Sequence, residues 1–147
     1  MKGIVTGGSR GLGLALTRAL ADRGWELVVD GRDEAVLRAA VTGLPGVVAV
    51  PGDIADPEHR ARLLEAAGDE LDLLVNNASS LGPTPLPPLS VYPLDELRRV
   101  YEVNVFAPLA LAQLVLPRLR AGGRIDNISS DAAVEPYEPV TAERSAS

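Results

Sequence analysis

Eight residues near the N-terminus, Thr6 to Gly13 (TGGSRGLG), combine the features needed to hold a phosphorylated ligand through the main chain. Gly7, Gly11 and Gly13 stand directly between a short apolar segment and the start of a helical pattern. Backbone without Cβ atoms lets a pyrophosphate approach closely, and the N–H groups at a helix start favour its charge. The spacing is Gly-x-x-x-Gly-x-Gly, a departure from the Gly-x-Gly-x-x-Gly of many dinucleotide folds. The bland alternative is an ordinary strand-to-helix turn.

A second group of residues bears on nucleotide choice. Asp30-Gly31-Arg32 closes the next apolar segment. An acid there would bond a ribose 2′-hydroxyl, whereas a basic residue would accommodate a 2′-phosphate, which an arginine fork complements bidentately. The lone His59 lies in the polar stretch PEHRAR and reads as a solvated helix residue. With no cysteine and no histidine partner, no metal site is expected.

The elements that must position these residues alternate along the chain. Strands are predicted at Lys2–Thr6, Glu26–Asp30, Val47–Val50, Leu71–Val75 and Arg124–Ser129. Between them, Leu12, Leu16, Ala19 and Leu20 recur at helical spacing before Gly24, and Asp33 can cap a helix running to Val41. Asp56-Pro57 opens a third helix towards Gly68, with Leu63 and Leu64 inward. Leu94–Ala121 reads as one long helix bent near Pro108. Five strands alternating with helices predict an α/β fold, a doubly wound and mostly parallel sheet with ligands at the carboxyl ends of its strands.

Composition narrows the function classes. The net charge is −6, with basic residues scattered singly, so no nucleic-acid partner is expected. Only 3% of residues are aromatic while 46% are hydrophobic, which points to a core of Val, Leu, Ile and Ala. The absence of cysteine fits a reducing cytoplasm. No secretory leader is read at the N-terminus, and the apolar stretch Pro108–Pro117, interrupted by Gln113, is too short to imply a membrane span.

TGGSRGLG resembles the TGxxxGxG cofactor motif of the short-chain dehydrogenase/reductase family, and later segments follow in that family's order. Gly52-Asp53-Ile54 resembles its adenine-contacting segment, and Asn76-Asn77-Ala78 its NNAG motif, with Ser79 replacing glycine. Asn104 matches the asparagine of its catalytic tetrad, and Asn127–Ser130 (NISS) the strand carrying its catalytic serine. The resemblance implies a Rossmann-type domain over residues 1–138, followed by a divergent tail at 139–147. It implies that Thr6, Gly7, Ser9, Arg10, Gly11, Leu12, Gly13, Arg32, Asp53, Ile54, Asn76, Asn77 and Ala78 bind the cofactor. Ser130 and Asn104 are the implied catalytic residues, with Ser129 on the opposite side of the strand. NADP is favoured by Arg10 and Arg32, while Asp30 keeps NAD open. Other roles fit some of these residues: Asp53 as a turn cap, Asn77 as a pin between strands, Asn104 as a helix-bending polar group.

The resemblance also implies hydride transfer between nicotinamide and a carbonyl or secondary alcohol. In the family a tyrosine passes the proton, assisted by a lysine four residues later. Thr141–Ser147 (TAERSAS), where the pair is expected, contains neither; Glu143 and Ser147 stand about where they would fall. Lys2 is the single lysine, at the wrong end of the sheet, and Tyr137 lies in the loop segment EPYEP, where family members often contact substrate. Tyr92 and Tyr101 read as packing residues. Asp126 stands mid-strand, where burial would be costly. The expectation is therefore a catalytically incomplete reductase, from a shifted frame or truncated gene, lacking the segments that commonly form the oligomer contact. Two rivals remain: a non-catalytic dinucleotide-binding or sensing domain, and a fragment whose sheet is completed by a partner chain. The Pro-rich segment Gly82–Pro93 is expected to line the site entrance, the alternative being a polyproline ligand.

Overall fold

The computed structural model describes residues 1–130. Tyr137, Glu143, Ser147 and the proposed tail lie outside the described residues. One parallel sheet contains β1 (Lys2–Val5), β2 (Glu26–Gly31), β3 (Val47–Pro51), β4 (Leu71–Asn76) and β5 (Leu119–Asn127), in the order β3-β2-β1-β4-β5. The intervening helices are α1 (Gly11–Ala21), α2 (Glu34–Val41), α3 (Pro57–Ala67), α4 (Leu94–Tyr101) and α5 (Ala107–Val115). The predicted Rossmann-type architecture is present.

Helices cover both faces because successive strand residues point in opposite directions. Ile4, Val28 and Leu74 pack with Leu63 of α3 and Ala107 and Leu111 of α5. The alternate residues Val5, Val29 and Val75 pack with Ala21 of α1 and Leu37 and Val41 of α2. Being buried on both faces, these strands read as continuous apolar runs. The caps form as read: Asp33 accepts the Val36 N–H at 3.0 Å and Asp56 the Glu58 N–H at 2.9 Å.

Five local expectations are corrected. The buried side of α1 is Gly13, Thr17 and Ala21, with Leu16 and Leu20 flanking it, and Leu12 is 52% exposed. Small residues occupy this side because α1 must approach the β1 turn closely. The long helix is broken at a π turn, Glu102–Phe106, and ends in a 3₁₀ turn at Leu116–Arg118. Pro108 lacks the N–H that an α-helix would give to the carbonyl of Asn104, which places the irregularity there. β5 starts earlier than predicted, with a register shift opposite Leu71–Leu73 and Gly122 at φ +85°. Asp126 is not buried: its side chain is 44% exposed and pairs with Arg124 at 3.2 Å. Tyr101 is likewise 52% exposed rather than packed.

The stretch judged too short at Pro108–Pro117 belongs to a 25-residue helical run, Leu94–Arg118. Among the described residues this is the run long and apolar enough, by length and composition alone, to cross a membrane. Val103, Ala107, Leu111 and Val115 on one side of it are buried in the core.

At the opposite end of the sheet from the strand C-termini, Asp72 ties three strands together. It accepts the Lys2 backbone N–H at 2.7 Å and faces Arg120 at 3.2 Å, while Arg120 also reaches Glu70 at 2.8 Å. The Lys2 amide, then the Arg120 guanidinium, hold the Asp72 carboxyl below the ordinary carboxylate range against an opposing desolvation. A lowered folded-state pKa adds stability above the unfolded value, and that contribution is lost as pH falls through the folded value. Asp72→Asn should therefore flatten the acid limb of the melting-temperature profile below about pH 4. An unchanged acid limb would refute the assignment.

Candidate functional site

The strand order reverses between β1 and β4, so crossovers leave in opposite directions and open a crevice at the strand C-termini. A cleft of about 770 Å³ lies there. Four chain segments line it: Gly7–Arg10 after β1, Asp30–Asp33 at the end of β2, Gly52–Ile54 after β3 and Asn77–Ser80 after β4. Val103, from the π turn, adds an apolar contact.

The glycine-rich turn is glycine-rich for more than one reason. Gly7 and Gly11 have φ of +68° and +52°, a region that side chains disfavour. Gly13 is required by contact instead, since a Cβ there would overlap the Gly7 carbonyl oxygen and Asn77 Nδ2. The N-cap of α1, Arg10, makes no side-chain hydrogen bond, so the first-turn amides retain the donor character that suits an anion.

Thr6 and Asn77 weld this turn to β4. Thr6 Oγ1 accepts the Asn77 and Ala78 N–H groups, each at 3.0 Å. Asn77 Nδ2 donates to the carbonyls of Thr6 at 3.0 Å and Gly7 at 3.3 Å. Thr6 is 2% exposed, which makes it a buried fastener. Asn77 is both pin and cleft residue.

Asp30 and Asp53 are tied down as well. Asp30, 2% exposed, accepts the Gly7 N–H on Oδ1 at 2.6 Å, and its Oδ2 meets His59 Nε2 at 3.0 Å. His59 is therefore wholly buried, contrary to the expectation of a solvated residue. Its neighbour Arg60, also buried, donates to the carbonyls of Ile54 and Ala55 at 2.7 and 3.0 Å and shapes the turn after β3. Asp53 accepts the Ala55 N–H at 3.0 Å as a turn cap, and its other oxygen receives Arg99 of α4 at 2.8 Å. It nonetheless lines the cleft. Arg10 and Arg32 line it too, and among the described residues neither guanidinium is in an ion pair.

The family model described as short chain dehydrogenase matches residues 3–146. The chain belongs to the short chain dehydrogenase family. It is 39% identical over 131 residues to the L-fucose dehydrogenase of Mus musculus, covering 86% of this chain and 47% of that protein. It is also 39% identical over 142 residues to the 1-deoxy-11-beta-hydroxypentalenate dehydrogenase of Streptomyces exfoliatus, covering 91% and 51%. The chain thus spans about half the length of these curated relatives. The Pseudomonas aeruginosa RhlG/NADP active-site complex superposes with a TM-score of 0.81 at 28% identity, over 94% of this chain and 57% of that one. A blue fluorescent protein from a metagenomic library in complex with NADPH gives 0.81 at 34% identity, over 90% and 57%.

Leu12, Asn76, Asn104, Ser129 and Ser130 are not among the residues that line the cleft. Asn76 is 5% exposed and its Nδ2 donates to Asn127 Oδ1 at 2.8 Å, so its side chain joins β4 to β5 and does not line the cleft. Leu12, on the outer side of α1, is exposed and off the cleft. Asn104 turns its side chain to the loop after β4, where Oδ1 accepts the Ser80 N–H and Nδ2 donates to the Ser80 carbonyl, both at 2.8 Å. Ser129 and Ser130 lie beyond the end of β5 and are exposed, so neither has a strand face. Ser79 and Ser80 line the cleft, whereas no residue of Gly82–Pro93 does. His59, Arg60 and Arg99 were missed. The signal for His59 was Asp30, an acid at the end of a buried strand that demands a partner.

Proposed function

We propose that the chain is the nucleotide-holding part of an NADP-dependent oxidoreductase acting on a carbonyl or secondary alcohol. The carrying observation is the state of the acids at the end of β2. Asp30 is buried with both oxygens engaged, and Asp33 accepts the Val36 amide as the cap of α2. Gly31 presents no side chain, and Arg10 and Arg32 both line the cleft. That combination suits a 2′-phosphate better than a 2′-hydroxyl. The NADP and NADPH complexes of the structural relatives support it.

In this reading the α1 amides and the glycine-rich turn hold the pyrophosphate, and Asp53 and Ile54 border the adenine. Asn77 fixes the turn, Asn104 fixes the loop through Ser80, and Ser130 orients the substrate oxygen. A bound nicotinamide supplies or accepts the hydride. No tyrosine or lysine lines the described cleft, and Lys2 stands at the opposite end of β1. The 147-residue chain alone is accordingly expected to bind nucleotide with negligible turnover.

Fluorescence titration of the chain with NADPH and NADH tests the proposal. NADPH should bind roughly tenfold tighter or better, and Arg32→Ala should weaken NADPH about 10–100-fold while sparing NADH. Equal affinities sink the NADP choice, no binding sinks the nucleotide reading, and carbonyl-dependent NADPH oxidation sinks the incompleteness.

A further inference from the structure

His59 and Asp30 form a buried polar pair that hydride transfer itself does not require. Their side chains are 0% and 3% exposed, 29 residues apart in sequence. Burying an imidazole against a carboxylate is unfavourable unless every polar atom finds a partner, and here each does. Asp30 Oδ1 takes the Gly7 N–H, Oδ2 meets His59 Nε2, and His59 Nδ1 lies 3.4 Å from Arg62 Nη2. A carboxylate only accepts and a guanidinium only donates, so the ring is assigned Nε2–H, with Nδ1 accepting. Donation runs from exposed Arg62 to His59 and from His59 to Asp30, and the Gly7 N–H of the glycine-rich turn donates to Asp30 from the other side. Gly52 lies against the ring so closely that a Cβ would overlap it, which keeps the imidazole from swinging towards β3.

We infer that His59 is a positioning residue that sets cofactor preference by keeping the Asp30 carboxylate turned inward. The inference rests on the nucleotide reading above and adds what enforces it. Asp30 borders the cleft, so its carboxylate has two destinations: His59 and Gly7 inside, or solvent and ligand outside. Remove the His59 donor and Oδ2 is left buried and unpaired, a cost relieved by rotation towards water. The rotated carboxylate releases the Gly7 amide, repels a 2′-phosphate and becomes an acceptor for a ribose 2′-hydroxyl. His59 thereby acts on the nucleotide without touching it.

The test compares His59→Leu, which fills the space without a donor, with His59→Gln, whose Nε2 can replace the imidazole Nε2–H. Affinities for NADPH and NADH and the Gly7 amide exchange rate are measured on the full chain. His59→Leu should weaken NADPH about tenfold, leave NADH equal or tighter, and speed Gly7 exchange. His59→Gln should keep all three near wild type. If His59→Leu does not fold, His59→Asn, whose shorter amide stops short of Asp30, is read the same way. Equal losses for both dinucleotides, or His59→Gln behaving like His59→Leu, overturn the inference as mere packing. Absence of any NADPH preference in the wild type overturns the NADP reading instead, and Gly7 exchange in His59→Leu then still decides the positioning role.

Discussion

Gly13→Val is expected to abolish dinucleotide binding and to lower folding stability by about 3 kcal/mol. The added Cβ falls on the Gly7 carbonyl oxygen and on Asn77 Nδ2, and neither can yield. The first is backbone in a turn whose N–H is held by Asp30, and the second is anchored to Thr6 and Gly7. Relief would require α1 to lift from the sheet, carrying with it the amides that face the cleft. Gly11 is the control: a Cβ there meets nothing within 4 Å, so Gly11→Asn should cost only about 1 kcal/mol from its positive φ. Urea denaturation with NADPH titration reads both. A Gly13→Val protein with wild-type midpoint and affinity would show that the α1 approach is not obligatory.

Asp30→Ala is the second large effect, expected at about 3–5 kcal/mol. It deprives two buried donors at once, the Gly7 N–H and His59 Nε2–H, and opens a gap where the carboxylate stood. Asp30→Asn should cost much less, roughly 1–2 kcal/mol. The amide oxygen can still accept from Gly7, while the amide nitrogen turns to a histidine able to change tautomer. If Asp30→Ala were as stable as Asp30→Asn by chemical denaturation, the pair would not be a structural anchor.

What the sequence disclosed and what it hid divide along physical lines. Apolar runs, caps and glycine turns are local, and β1 to β4 with α2 and α3 lie within a residue or two of where pattern places them. The cleft was equally legible, because the topology sends the ends of β1 to β4 to one edge. Polar residues whose partners are distant in sequence were not legible. PEHRAR reads as a solvated face, yet His59 and Arg60 are buried because Asp30 and the Ile54 carbonyl meet them there. Asn76 and Asn77 are adjacent and identical, and only the sheet shows that one ties β5 while the other reaches the β1 turn. Asp126 misled for the converse reason: β5 is the edge strand of the described sheet, where a mid-strand acid can remain in water.

The welding of the glycine-rich turn to β4 also fixes when the site can exist. The hydrogen bond from Asn77 to Thr6 spans 71 residues, and β1 registers Gly3 against Leu73. Loop-closure entropy makes such pairings slow relative to local ones. While β1 awaits β4, the turn encoded by the first thirteen residues has neither Asn77 on its carbonyls nor Val75 on the Thr6 amide. During synthesis from the N-terminus, half the described chain must emerge before that turn acquires its shape. Nucleotide capture is therefore a late event in maturation, and a ligand that binds only the finished cleft pulls the β1–β4 pairing to completion.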